Sequence, residues 1–420
     1  MKEPSHPPIN PPPSIPEAES KKRSRRESVL DSDGRPRWSK LEIFRGMPDD
    51  VVDQLRDVLT PILFEPGQVI LEQGQTGDDM YLLDRGSVKV SVVGEVDSTN
   101  FERVLAAPAM FGEMALITKA KRSATITAET AVRSLRIDRQ SFSELVDRNP
   151  QSAVFVTRLV GERLLEAGSI RRVGKYEVAG QLGEGAVATV FEAIHPTLGK
   201  SVALKMLSHA LVYHHGFAEQ FQGEAKLVAH LNHEHIVRVL DTEEAYGTHF
   251  IVMEKLTGTL LEDLIETGPH LAWGAIRRIL KEICLALQYS HEQGLLHRDI
   301  KPSNVFLTED RRVKILDFGI AVHEEASEAA AGHLLGTPYY MSPEQILGSR
   351  LDGRADLYST GILAYELCTR VVPFDADTLD DLLRMHLNKA MPDPRALQKD
   401  IPDDLCAFIA RSTAKKASER

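Results

Sequence analysis

The sequence predicts a multidomain α+β protein, an antiparallel β jelly roll with flanking helices followed by a larger α+β region. Three observations carry this. First, residues 41–170 hold short β-rich runs, among them Gln68-Val69-Ile70-Leu71, Met80-Tyr81-Leu82-Leu83 and Ser87-Val88-Lys89-Val90-Ser91-Val92. Gly67, Gly74, Gly77, Gly86 and Gly94 punctuate them, and short strands with regular turns favour antiparallel closure. Second, residues 141–168 switch to helical spacing. Phe142, Leu145 and Val146 precede Pro150, and Val154, Phe155, Leu159, Val160, Leu164 and Leu165 follow it, so the proline separates two helices. Third, Val305-Phe306-Leu307 and Val313-Lys314-Ile315-Leu316 read as the two strands of a hairpin.

A chain of 420 residues with 42% hydrophobic content can bury the cores of two or three domains. Its net charge of -11 gives no support to a nucleic-acid partner, which usually meets a basic face. Cys284, Cys368 and Cys406 are far apart and read as small buried residues in a reducing compartment. No apolar run is long enough to span a bilayer, and the N-terminus lacks a signal peptide's apolar core, so a cytoplasmic location is expected. Residues 1–40 form a proline-rich and basic tail that cannot build a core.

The chemistry is concentrated in residues 297–319. They read His297-Arg298-Asp299-Ile300-Lys301-Pro302-Ser303-Asn304, then the hairpin, then Asp317-Phe318-Gly319. Phosphoryl transfer needs a carboxylate to take the attacking hydroxyl's proton, and oxygen ligands that hold Mg2+ against the phosphates. Asp299 suits the first task; Asn304 and Asp317 suit the second. Lys301 can neutralise charge on the moving group. A hairpin between them would set Asn304 beside Asp317. A lone His-Arg-Asp would be a surface turn in most proteins, but the whole ordered stretch resembles the catalytic loop and Asp-Phe-Gly segment of the protein kinases.

That resemblance extends over residues 176–420 and implies a bilobal protein-kinase fold that uses ATP and Mg2+. Gly183-Glu184-Gly185-Ala186-Val187-Ala188-Thr189-Val190 resembles the glycine-rich loop over ATP, with Ala188 in place of the third glycine. Val202-Ala203-Leu204-Lys205 resembles the strand whose lysine meets the α- and β-phosphates. Glu224, at the start of an amphipathic helix, is then the implied partner of Lys205. Phe250-Ile251-Val252-Met253-Glu254-Lys255-Leu256 resembles the strand and hinge that meet adenine. The implied ATP site comprises Gly183, Glu184, Gly185, Val190, Ala203, Lys205, Met253 (the gatekeeper), Glu254 and Leu256. Asp356-Leu357-Tyr358-Ser359-Thr360-Gly361 resembles the buried helix whose aspartate braces the catalytic loop. Lys301, Pro302 and Thr337 fit serine/threonine rather than tyrosine specificity, as in the bacterial eukaryote-type kinases. Ser327 is the one hydroxyl between Gly319 and Thr337 and sits among Glu324, Glu325 and Glu328, so little dependence on phosphorylation of that segment is expected. Residues 408–420 resemble the penultimate family helix, with Arg420 pairing Glu344 and the usual final helix missing.

In the first domain, Phe111-Gly112-Glu113-Met114-Ala115-Leu116-Ile117 precedes Arg122-Ser123-Ala124-Thr125-Ile126. Gly112 lets backbone approach a ligand, residues 113–116 can start a short helix whose amides face an anion, and Arg122 offers a fork for a phosphate. The segment resembles the phosphate-binding cassette of the cyclic-nucleotide-binding domains. This implies a site of Gly112, Glu113, Met114, Ala115, Arg122 and Ser123, with Glu113 on the ribose 2′-hydroxyl and Arg122 on the cyclic phosphate. Ser123 leans towards cyclic AMP over cyclic GMP, as in the bacterial catabolite activator. Such domains close helices like 141–168 over the ligand.

The expected organisation is a tail (1–40), a cyclic-nucleotide-binding domain (41–170), a short linker (171–175) and a kinase domain (176–420). Its expected function is cyclic-nucleotide-regulated transfer of the ATP γ-phosphate to Ser/Thr of protein substrates. The alternative is a catalytically silent sensor or scaffold whose barrel serves localisation or dimerisation; whether the chain dimerises stays open. Arg25-Arg26-Glu27-Ser28-Val29 resembles a basophilic substrate site and is a candidate for phosphorylation in cis.

Overall fold

Alternating burial builds the first of two units, Met1–Val156. The structure, a computed structural model, describes residues 36–41, 44, 49–93, 101–114, 121–148, 153–165, 171–184, 188–212, 228–318 and 338–420. Among the described residues of this unit, eight strands form two antiparallel four-stranded sheets. The first, in the order β1-β8-β3-β6, contains β1 (Thr60–Phe64), β3 (Asp79–Arg85), β6 (Ala109–Phe111) and β8 (Val132–Asp138). The second, in the order β2-β7-β4-β5, contains β2 (Val69–Leu71), β4 (Ser87–Val92), β5 (Phe101–Ala106) and β7 (Thr125–Ala128). Both contribute to one core, which includes Leu71, Tyr81, Val88, Val90, Phe111, Ile126 and Val132. Two antiparallel sheets sharing a core are the expected jelly roll. Helices α1 (Asp49–Val58) and α2 (Arg139–Arg148) flank it. Helix α3 (Val154–Leu165) follows, and the division between the two units falls within it, after Val156.

In the second unit, Thr157–Arg420, a six-stranded antiparallel sheet runs β13-β14-β12-β11-β10-β9. Its members are β9 (Arg172–Val173), β10 (Tyr176–Glu184), β11 (Ala188–Ile194), β12 (Ser201–Leu207), β13 (Val239–Ala245) and β14 (Thr248–Glu254). A second sheet, β15 (Gly258–Leu260), β16 (Val305–Thr308) and β17 (Val313–Ile315), carries the hairpin read from the sequence. The remainder is helical. Amphipathic α6 (Trp273–Glu292) turns Ile276, Ile279, Leu280, Ile283, Ala286 and Leu287 inward. α8 (Gly353–Thr369) is buried on nearly every face, as its lack of amphipathic pattern requires. Short helices α4 (His209–Val212), α5 (Leu261–Glu266) and α7 (Pro343–Ile346), with α9 (Leu379–Asn388) and α10 (Asp403–Ser412), complete the described set.

One ion pair closes the helical part. The Arg420 side chain is fully buried and donates from Nη1 and Nη2 to Glu344 at 2.5 and 2.9 Å. Arg420 also donates to the carbonyls of Ala414 and Arg354. Removing one member of a buried pair leaves the other charge uncompensated. Arg420→Ala should therefore lower the unfolding free energy of this unit by about 3–5 kcal/mol, read from denaturant melts.

Candidate functional site

The β16–β17 hairpin sets the core of the site in the second unit. Val305 pairs with Ile315 and Leu307 with Val313, and the Leu316 amide donates to the Asn304 carbonyl at 2.9 Å. This register places Asn304 opposite Leu316, one residue before Asp317. The Asn304 side-chain amide donates to the Asp299 carbonyl at 2.8 Å and to its carboxylate at 2.9 Å. With both amide hydrogens so used, the Asn304 Oδ1 is the remaining acceptor, the oxygen type that Mg2+ accepts. Lys301 Nζ lies 2.8 Å from the Asp299 carboxylate. Lys205 Nζ lies 2.7 Å from Asp317 Oδ1. Burial alone would raise the Asp317 pKa, but Lys205, with His297 and Lys301 behind it, holds it below the usual carboxylate value. Asp317 is thus an anion, with its backbone in the left-handed region at φ 55°.

The catalytic loop is held by Asp356 of α8, which is 1% exposed. Its carboxylate accepts from the His297 amide at 2.9 Å, the Arg298 amide at 2.7 Å and His291 Nε2 at 2.7 Å. Arg298 has φ 66°, a conformation costly for a side-chain-bearing residue unless its surroundings impose it. His297 is fully buried, bonds the Leu316 carbonyl through Nε2 at 2.8 Å and meets Phe318 edge-on, with centroids 4.7 Å apart.

Beside these polar groups, Ala203, Val237 and Met253 form a small core with Val190, Leu256 and Leu316 packed against it. The register pairs Val190 with Lys205 and Ala203 with Met253, so the expected adenine-facing residues share one patch. The Glu254 amide donates to the Arg238 carbonyl at 3.0 Å. The Glu254 carboxylate holds Lys314 at 2.7 Å, a tie the sequence reading missed. Gly183 and Glu184 are exposed at the end of β10. Gly185, Glu224, Gly319, Ser327 and Thr337 lie outside the described residues, as do Ala115 and Ser28.

In the first unit, Arg122 is 7% exposed and Glu113 6%. The Arg122 amide donates to the Gln75 carbonyl, and the Arg122 carbonyl accepts from Gly74, which fixes the residue against that turn. Its Nη1 donates to the carbonyls of Asp79 and Gly112, both at 2.8 Å, and its Nη2 to the Asp79 carboxylate. Asp79 also accepts from Arg136 Nε at 2.7 Å and from the Tyr81 hydroxyl at 3.1 Å. Burial, and then the Asp79 charge, push the Tyr81 hydroxyl up to about 12. Gly112 has φ 80°, and Glu113 and Met114 begin a helical turn. Ser123 is exposed. Asp79, Tyr81 and Arg136 were not foreseen as part of the site. The signal was a pair of acids, Asp78 and Asp79, opening a strand whose next residues are all buried.

The protein kinase domain model matches residues 176–420, and the cyclic nucleotide-binding domain model matches residues 61–149. The chain belongs to the protein kinase family and carries a cyclic nucleotide-binding domain ahead of its kinase domain. It is 37% identical over 255 residues to the serine/threonine-protein kinase Pkn1 of Myxococcus xanthus, covering 59% of this chain and 36% of that one. It is 40% identical over 266 residues to PksC of Streptomyces coelicolor, covering 60% and 48%. The chain thus spans between a third and a half of the length of these relatives. The PknI kinase domain of Mycobacterium tuberculosis is a structural match, with a TM-score of 0.51 and 31% identity over 61% of this chain and 94% of that one. Among the described residues, no helix is long and apolar enough to cross a membrane.

Because Asp356 alone holds two consecutive loop amides, Asp356→Ala should let Asp299 drift. A misplacement of about 1 Å costs on the order of 100-fold in rate. A steady-state assay of phosphoryl transfer should show that fall in kcat with little change in the KM for ATP.

Proposed function

We propose that the chain is a serine/threonine protein kinase whose rate is set by a cyclic nucleotide, and that it transfers the γ-phosphoryl group of Mg-ATP to protein hydroxyls. The observation that carries the enzymatic part is a pair of bonded groups, Asp299 with Lys301 and Asn304, and Lys205 with Asp317, which the Leu316-to-Asn304 backbone bond brings to neighbouring positions. In this reading Asp299 orients the substrate hydroxyl and takes its proton, and Lys301 beside it offsets charge on the transferring group. Lys205 is the phosphate ligand on β12. Asn304 Oδ1 and the Asp317 carboxylate would hold Mg2+, which supplies charge neutralisation at the phosphates. The patch of Ala203, Val190, Met253 and Leu256 receives adenine, with backbone groups of Glu254 and Leu256 at its edge. A silent scaffold would have no need to keep Asp317 ionised by a half-buried lysine, so that alternative is not favoured. Asp317→Ala should abolish 32P transfer to a generic protein acceptor while circular dichroism stays unchanged; labelling at wild-type rate would overturn the assignment.

For the sensor, Arg122 and Glu113 are the groups that would meet the cyclic phosphate and the ribose. The exposed Ser123 is the basis for preferring cyclic AMP to cyclic GMP. A ligand shifts an equilibrium only by its differential affinity for the two states. A coupling of about 1–3 kcal/mol corresponds to roughly 5- to 150-fold in rate. We expect activation, and reciprocal tightening of cyclic-nucleotide binding when the kinase site is filled. Titrating cyclic AMP and cyclic GMP against wild type and Arg122→Ala, with binding and rate followed together, checks this. The variant should lose both binding and stimulation; a wild type that binds without any change in rate would reduce the barrel to localisation or dimerisation.

A further inference from the structure

The six-stranded sheet has one face turned towards the Ala203–Met253 patch and Lys205. On the same strands, Phe191, Leu204, Met206, Phe250 and Val252 are all fully buried. Alternation along β12 places Leu204 and Met206 on the side opposite Lys205. A continuous apolar face of that kind needs a cover, and the part of α3 from Thr157 onward lies against it. Gly161 of α3 abuts Phe191 and Met206: a Cβ added there would meet Phe191 Cζ at 3.7 Å and Met206 Cε at 3.8 Å. Leu159, Val160 and Leu164 of the same stretch are at most 2% exposed. None of these helix residues falls in the region matched to the kinase family, which begins at residue 176.

The polar contact is more specific than the packing. His209, fully buried just after β12, bonds the Tyr246 carbonyl through Nε2 at 2.8 Å and Thr157 Oγ1 through Nδ1 at 3.0 Å. The His209 amide donates to the same Thr157 oxygen at 2.8 Å. A carbonyl only accepts, so Nε2 carries the proton. Burial depresses the imidazole pKa to about 4, so the ring is neutral and Nδ1 is a bare acceptor. The Thr157 hydroxyl therefore donates to Nδ1 while its oxygen accepts the His209 amide. Tyr246, at φ 53°, in turn donates its hydroxyl to the Arg172 carbonyl. One hydroxyl on the helix thus fixes His209, two residues past the end of the strand that carries Lys205.

We propose that residues 157–165 are a working part of the kinase's N-terminal lobe and that Thr157 is a positioning residue for catalysis, acting through His209 on the strand that carries Lys205. This rests on the kinase reading above and not on cyclic-nucleotide control. The test uses the full chain. Thr157→Val removes both hydrogen bonds while keeping the shape, and should lower kcat about 10-fold or more with the affinity for fluorescent cyclic AMP and its melting transition retained. Thr157→Ser, which restores the hydroxyl, should recover the rate. Independently, Gly161→Ala should be tolerated, since its methyl finds ordinary contact distances, whereas Gly161→Leu should wedge the helix off Phe191 and Met206 and lower kcat as Thr157→Val does. Wild-type kcat in Thr157→Val, or failure of Thr157→Ser to recover it, overturns the proposal; if Thr157→Val does not fold, the Gly161 pair decides it in the same way. A wild type whose rate ignores bound cyclic AMP would sink the regulatory reading alone, because all the kcat comparisons are made without cyclic nucleotide.

Discussion

A carboxylate buried in the first turn of a helix anchors the loop that carries Asp299. Asp356 contributes no atom to the reacting groups, yet it takes the amides of His297 and Arg298 and the ring of His291. Those bonds compensate the cost of burying its charge and hold Arg298 in a backbone conformation that it would otherwise leave. From that fixed point the chain proceeds to Asp299, on to Asn304, and through the hairpin to Asp317. Each step is secured by a backbone bond or an amide–carboxylate contact, so an error at Asp356 would propagate to every polar group of the site.

The barrel follows a comparable logic with a different carboxylate. Asp79 stands between Arg122 and Arg136 and keeps both guanidinium groups in place. Arg122 gains an anionic neighbour and two carbonyl acceptors, so it is satisfied as it stands. In the proposed role, a phosphate would share or replace these partners rather than fill a void, and its binding energy would be a difference between two bonded arrangements of the same buried arginine.

Legibility in the sequence depended on the range of the constraint. The hairpin was readable because two short apolar runs flank a turn, and its register followed from their spacing. The jelly roll was readable from glycine-punctuated strands, whereas the buried helix around Asp356 was read only through its resemblance to the kinase family. The placement of Asn304 beside Asp317 followed from local chain geometry alone. What escaped detection were pairings of single residues far apart in the chain. Asp79 with Arg122 and Arg136, Lys314 with Glu254 and Thr157 with His209 are separated by 43 to 60 residues. A lone threonine in an amphipathic helix has no periodic signature, and a buried histidine after a strand reads the same whether or not a hydroxyl awaits it. The helix over 154–165 was foreseen, but the face it would cover was not, because its apolar positions specify a partner surface only by size.

Gly77 has a bearing on how such barrels are recognised. A Cβ at that position would lie 2.3 to 2.6 Å from the Nη2, Nε and Cζ atoms of Arg122. The smallest possible change there, a single methyl group, collides with the guanidinium without altering Glu113, Arg122 or any residue of the cassette. Such a change would require the guanidinium to shift from its place against Asp79 and Gly112 while leaving the cassette sequence intact. Position 77, just ahead of β3, thus helps set where the Arg122 guanidinium lies although it stands outside the cassette.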